Sequence, residues 1–375
     1  MVINILLIII LTQEASLQHP SKIISTKFSL LNNKYQIEIF LNPTPKTIYT
    51  RTISLNHKYL DLNNIELSDN SFIQNTSIQT ISNKTIPVIE MKEQLNLSNN
   101  ISVTIHFYNI KEYEEFSENS NLMPFAHLFH DINFSLVHQL FYLGQISTLS
   151  FGFSKLFGIG GNLYFGGIPN KETTSLPYFT ECKVNKTDVS WSCNLDRIYF
   201  DKNKKHYVNK YYMRFNTEKY FIEVPNDFLI YLKEEVFNSF IIQNKCSFHN
   251  STYHVGFSCD CGIRNQMTNI KIVIDGKVFS IEMEKLFLIS DEGTRFEYCD
   301  LMIERNKKGD FFEMGNLFIG MYSSLFNYEN DTVMFYSDKP FLEFKYDTKF
   351  SFLFIVNIII LSFGIFVNLN YLFKC

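Results

Sequence analysis

The chain has 375 residues, which at a usual domain size of about 150 residues allows two domains or one large two-lobed body. Hydrophobic residues make up 46% and charged residues 19%, with 38 Phe and 21 Tyr, which excludes a disordered chain and favours aromatic-rich strands over helical bundles. The formal net charge is −4, from 34 Lys+Arg against 38 Asp+Glu, and no basic run is long enough to track a phosphate backbone, so no nucleic-acid partner is expected.

The N-terminal end, residues 2–11, is a short apolar run followed by polar Thr12, Gln13 and Glu14 and the small pair Ala15 and Ser16. That is the layout of a secretory signal peptide over residues 1–16; a buried N-terminal strand is the rival reading. From 22 to 110, short alternating segments at 35–41, 47–55 and 101–107 are separated by Asn, Ser and Pro, the pattern of strands and turns. Residues 136–143 suit one short helix. Strands are predicted again over 148–153, 162–165 and 195–200, with glycine turns at Gly158 to Gly161 and at Gly166 and Gly167. Neither glycine cluster is followed by Lys-Ser/Thr, so there is no phosphate loop. An amphipathic helix is expected over 227–240, then strand-rich stretches over 270–303 and 312–335.

At the far end, residues 350–373 hold 24 residues without a charge between Lys349 and Lys374. As a helix rising about 1.5 Å per residue they cover about 36 Å, enough to cross a hydrocarbon core of about 30 Å. A single transmembrane helix is the first reading; a removed lipid-anchor signal is the rival, and residues 344–349 lack the small-residue triplet it needs. Eight Asn-x-Ser/Thr sequons, at Asn75, Asn83, Asn96, Asn100, Asn133, Asn185, Asn250 and Asn330, agree with an extracellular or lumenal body in the secretory pathway. Six cysteines lie in that body, Cys182, Cys193, Cys246, Cys259, Cys261 and Cys299, an even number that favours disulfides over metal; Cys375 stands apart beyond the anchor. No cysteine spacing suits zinc. His127, His130 and Asp131 beside Pro124 suit a surface loop better than a metal site, and no cofactor is expected.

Four stretches in order resemble the pepsin-like aspartic peptidase family. GGNLYFGGIP (160–169) is similar to its Gly-Gly-x-Leu-x-Phe-Gly-Gly hairpin, and SWSCNLDRIYF (190–200) to its Trp-bearing strand. FSCDCG, IVIDGKVFSI and FEYCD resemble its C-lobe segment with a Cys at each end. The run at 312–336 resembles the closing Leu-Gly-Asp-x-Phe element. The resemblance is clear over 134–338 and faint over 30–133. It implies an all-β, two-lobed pepsin-like fold with a few short helices, an N-terminal lobe at 17–170 and a C-terminal lobe at 171–340; the apolar run at 350–373 adds the transmembrane helix.

The family's chemistry needs two aspartates, one per lobe, each in Asp-Thr/Ser-Gly, sharing a proton and holding a water between them. Alignment of KYQIEIFLNPTPKTIYTRTISLNHKYLDL puts Ile53, Ser54 and Leu55 at the first motif, and MRFNTEKYFIEVP puts Asn216, Thr217 and Glu218 at the second. Neither Ile53 nor Asn216 is an acid, so water activation is lost on both sides. No substrate-covering hairpin with a Tyr-Gly core lies between Ser68 and Ser102, and Asp291-Glu292-Gly293-Thr294 mimics the motif only in a turn before Cys299. The expectation is a membrane-anchored peptidase homologue without catalysis that binds a peptide or protein; the alternative is an active acid endopeptidase with an atypical site, for which Asp61 would have to serve. Cys182 and Cys193 flank a hairpin and pair locally. The resemblance implies Cys259 with Cys299, leaving Cys246 for Cys261.

Overall fold

Short runs that alternate large apolar with polar side chains, bounded by Asn, Gly and Pro, have one face to bury and pair into sheets. In the computed structural model of the protein they form sheets of 12, 8 and 4 strands. The structure describes residues 23–31, 34–41, 47–54, 72–79, 85–98, 101–109, 122–125, 135–155, 160–186, 190–200, 207, 211–250, 255–289, 298–307 and 309–344, with 30–109 and 122–124 given by backbone path and pairing.

The largest sheet is shared by both sides of residue 170. Ile24–Leu31, Gly160–Phe165 and Ser150–Phe153 run beside Ser323–Asn327, Thr332–Ser337 and Tyr178–Lys183, and the seam is the antiparallel pairing of Phe151 with Phe326 and Phe153 with Ser324. At that seam the backbones approach closely: a Cβ on Gly152 would lie 2.5 Å from Ser324 O, so glycine is needed there. The seam is also where the aromatic residues concentrate. Phe151 stacks on Phe326 at 4.9 Å, fully buried Trp191 meets both rings edge-on, and its indole N–H donates to Phe125 O at 2.7 Å.

The 8-stranded sheet is built from residues within 192–343, and the 4-stranded sheet from Cys246–Asn250, Val255–Asp260, Phe287–Ile289 and Tyr298–Leu301. In the larger of these, Ile270–Ile274 and Lys277–Ile281 form a hairpin whose turn is Asp275-Gly276, both at positive φ, as a two-residue turn matched to strand twist requires.

The predicted short helix is present as Leu136–Tyr142, burying Leu136, Val137 and Leu140. The expected helix at 227–240 is broken in three: Asn226–Tyr231, a wide π turn over Leu232–Val236, and Asn238–Ile242. Phe237 N–H donates to Leu232 O, five residues back, and the widened turn lets both fully buried side chains face inward; Phe237 stacks on Phe257 at 4.5 Å. Gly160 and Gly161 belong to a strand rather than a turn, whereas Gly166 and Gly167, at φ +84° and +124°, do form one.

Two of the three expected disulfides are corrected. Cys182 joins Cys193 as expected, but Cys246 joins Cys259 and Cys261 joins Cys299. Cys259 is the middle of a three-strand row, directly opposite Cys246 on one side and Cys299 on the other. It can bond only one of them. Bonded to Cys246 at a Cα separation of 4.0 Å, it leaves Cys299 to Cys261, which lies two residues on, 5.0 Å away. Residues 1–16 and 350–373 lie outside the described residues; among those described, no helix is long and apolar enough to cross a membrane.

Candidate functional site

The second aligned motif sits where the chain crosses over a strand. Tyr211–Phe215 runs parallel to Phe312–Met314 on one side, and Ile222–Val224 runs antiparallel to it on the other, so residues 216–221 pass over its end. Asn216 N–H donates to Met314 O at 3.0 Å, the last bond before the crossing. On the far side Asn316 N–H donates to Lys219 O at 2.7 Å and Leu317 N–H to Tyr220 O at 3.2 Å. Gly315 makes this possible. A Cβ there would lie 2.6 Å from Lys219 O and 2.7 Å from Tyr220 O, and nearer still to Phe221 O.

Asn216 is 3% exposed and held at both ends of its amide. Its Oδ1 accepts from Glu218 N–H at 2.9 Å, and its Nδ2 donates to Glu313 Oε2 at 3.4 Å. Thr217 is fully buried and its carbonyl accepts from Asn316 Nδ2 at 2.8 Å. A cluster of charges adjoins this amide. Lys219 bridges Glu223, in a very short contact, and Glu313, at 3.4 Å; the two glutamates face each other across paired strands with side chains 12% and 5% exposed. Burial opposes the Lys219 charge, yet the two glutamates outweigh it and raise its pKa. Burial also raises the Glu223 pKa, with Glu313 adding to the rise and Lys219 opposing it.

In the first lobe, Thr47–Ser54 likewise runs parallel to a later short strand, Leu122–Pro124, with Ile53 opposite Met123 and Ser54 opposite Pro124. The registers differ. Asn216 is the first residue past its paired stretch, whereas Ile53 lies inside the pairing and the first residue past it is Leu55, outside the described residues. The three residues Ile53, Ser54 and Leu55 include no acid.

A model of the eukaryotic aspartyl protease family matches residues 133–337, more than half of the chain. The chain belongs to this family. As an aspartyl protease family member it is similar in fold to the aspartic proteinase from Irpex lacteus, with a TM-score of 0.63 over 84% of this chain and 97% of that one at 12% identity, a level that speaks for the fold alone. No curated protein sequence matches the chain. The stretches expected to be the glycine hairpin, the Trp-bearing strand and the closing element contain the strands Gly160–Phe165, Ser192–Phe200 just after Trp191, and Phe312–Met314, Ser323–Asn327 and Thr332–Ser337.

Other sequence candidates are scattered or undescribed. Asp61, His127, His130, Asp131 and the Asp291-Glu292-Gly293-Thr294 segment lie outside the described residues, as do Asn83, Asn100 and Asn133. Asn75 and Asn96 lie in strands given by backbone alone; Asn250 and Asn330 are exposed and Asn185 is half-buried. Among the described residues no group of His, Cys, Asp and Glu is placed to hold a metal ion. Sequence reasoning missed the Lys219, Glu223 and Glu313 cluster. Its one signal was a glutamate inside the apolar run Phe311-Phe312-Glu313-Met314, and its meaning depended on Lys219 arriving from about ninety residues away.

Proposed function

We propose that this aspartyl protease family member is a non-catalytic, peptide- or protein-binding ectodomain, secreted through a signal peptide at 1–16 and held in a membrane by residues 350–373. The observation that carries the reading is Asn216: an amide at the second-lobe crossing can neither take up nor release a proton, and here both ends of it are already engaged. The absence of an acid among Ile53, Ser54 and Leu55 supports the same reading from the other lobe. Three disulfides support an oxidising compartment, and exposed Asn250 and Asn330 are open to glycosylation.

One observation favours a second reading. Glu313 places a carboxylate next to Asn216, and an active acid endopeptidase would have to use it. Its contact with Lys219 argues against that use, since the carboxylate is already engaged by that ammonium and by the Asn216 amide.

The test is proteolysis of an unfolded protein by the purified protein from about pH 3 to pH 7. No cleavage above buffer is expected, and none from the Ile53→Asp/Asn216→Asp or Ser54→Asp/Asn216→Asp variants, because Glu218 and, in the first lobe, Leu55 or Asn56 would stand where the family has glycine. Cleavage by the unmodified protein that is blocked by a statine inhibitor and lost in Glu313→Gln would replace this reading with the peptidase one. Digestion of the body by protease added to sealed, cytosolic-side-out vesicles would overturn the topology.

A further inference from the structure

Behind the crossing loop lies a cavity of about 700 Å³, within the range of ligand sites. Its walls come from five separate parts of the chain: Lys155 after the seam strand, Tyr220 of the crossing loop, the hairpin at 269–281 with the turn that follows it, the 316–322 segment, and residues 337–342. Tyr220 and Asn316 also line the 216–221 crossing, but Asn216, Lys219 and Glu313 do not reach the cavity.

The charge of this cavity is opposite to that of the molecule. Four lysines line it, Lys155, Lys271, Lys285 and Lys339, against two carboxylates, Glu282 and Asp338, a surplus of two positive charges in a chain of net charge −4. Lys271 is committed to Ser280 Oγ at 3.0 Å and Lys285 to Glu282 at 2.8 Å. Lys155 and Lys339 have no hydrogen-bonded or paired side-chain partner among the described residues, although both act through space on Glu282, whose pKa is lowered first by Lys285 and then by these two. The positive groups therefore converge on one carboxylate, which Lys285 already satisfies. Beside them the wall is apolar: Tyr322 and Phe341 pack at 5.9 Å with Phe279 beneath, and Leu342 is exposed at the mouth.

We propose that this cavity binds an acidic peptide segment, its carboxylates against Lys155 and Lys339 and a neighbouring apolar side chain against Tyr322 and Phe341. Charge complementarity selects the occupant: an acidic chain is repelled by a molecule of net negative charge except where the lysines gather, and the adjoining aromatic wall rewards an apolar residue beside the acid, which a bare inorganic anion lacks. Exposed lysines add modest affinity individually but steer and orient a partner collectively. The inference is independent of whether the protein cleaves peptides.

The experiment measures binding of a fluorescent Glu-Leu-Glu-Phe-Glu peptide to the full-length protein by anisotropy, beside its Gln-Leu-Gln-Phe-Gln counterpart, with pyrophosphate as competitor. The acidic peptide is expected to bind at least tenfold more tightly than the glutamine one, and less tightly as salt rises. Lys155→Ala/Lys339→Ala should weaken it roughly tenfold, the loss of two partly screened pairs, with an unchanged melting temperature. Phe341→Ser should weaken the acidic peptide while leaving pyrophosphate competition unaltered. Equal binding of the two peptides, or an unchanged affinity in the double lysine variant, overturns the proposal. So does lysine-dependent capture of pyrophosphate without capture of the peptide, which would make this a site for small inorganic anions.

Discussion

The two lobes meet the same topological demand with different materials. In each, a strand runs parallel to a short strand that arrives much later in the chain: Thr52 to Ser54 beside Leu122 to Pro124, and Met213 to Phe215 beside Phe312 to Met314. The second crossing is closed by Gly315 and a buried set of Asn216, Lys219, Glu223 and Glu313, and its lobe is stapled by three disulfides. The first lobe, through residue 124, has no cysteine, and its parallel strand ends in Ile53-Ser54. The difference teaches how the second crossing is held. Parallel pairing and one close backbone approach hold it, and Asn216 serves there as a buried structural amide.

The sharpest way to break the second crossing without touching the first is Gly315→Leu. A side chain there meets three backbone carbonyls that cannot swing aside, so a loss of about 4 kcal/mol or more is expected, seen as a collapse of the denaturant midpoint. A variant that melts normally would show that the crossing is not the support assigned to it.

Next in size is Lys219→Met, which leaves Glu313 and Glu223 buried side by side without their cation. About 3–5 kcal/mol should be lost near neutral pH. The loss should shrink on acidification. A carboxyl whose pKa is raised on folding is protonated more readily in the folded state, so its penalty is present above the folded pKa and is relieved as pH falls through that pKa toward the ordinary glutamate value. Urea melts at a series of pH values read this directly, and Glu223→Gln should flatten the dependence. A Lys219→Met penalty that did not fall with pH would show that packing, not charge, is what the lysine supplies.

Disulfide removal sharpens the contrast in a graded way. Cys261→Ser/Cys299→Ser frees a loop spanning 38 residues and Cys182→Ser/Cys193→Ser one spanning 11, so the entropy model gives about 4 and about 3 kcal/mol. Both should act on the second lobe, measurable as separate losses of hydrogen-exchange protection there while amides of Ile24–Leu31 outside the seam change least. The smallest effect should come from Lys277→Ala, which removes an exposed pair with Glu343 at 2.9 Å and should cost at most about 0.5 kcal/mol.

The sequence by itself determined the class of the molecule. Alternating aromatic strands, glycine turns and four ordered resemblances are local signals, readable within ten or so residues, and the helix at Leu136–Tyr142 and the strands Gly160–Phe165, Ser192–Phe200 and Phe312–Met314 lie where those signals put them. The broken helix was not legible, because only burial of Phe237 against Phe257 demands the wider turn. The disulfide partners of Cys246 and Cys299 were decided by which strands lie on either side of Cys259, a choice of sheet neighbours that spacing along the chain does not record. The register of Ile53 against Met123 and the gathering of Lys219 with Glu313 were likewise fixed only when distant segments paired. A strand carries its side-chain alternation in its own sequence, but it takes its neighbours, and therefore the chemistry that forms between them, from the sheet it joins.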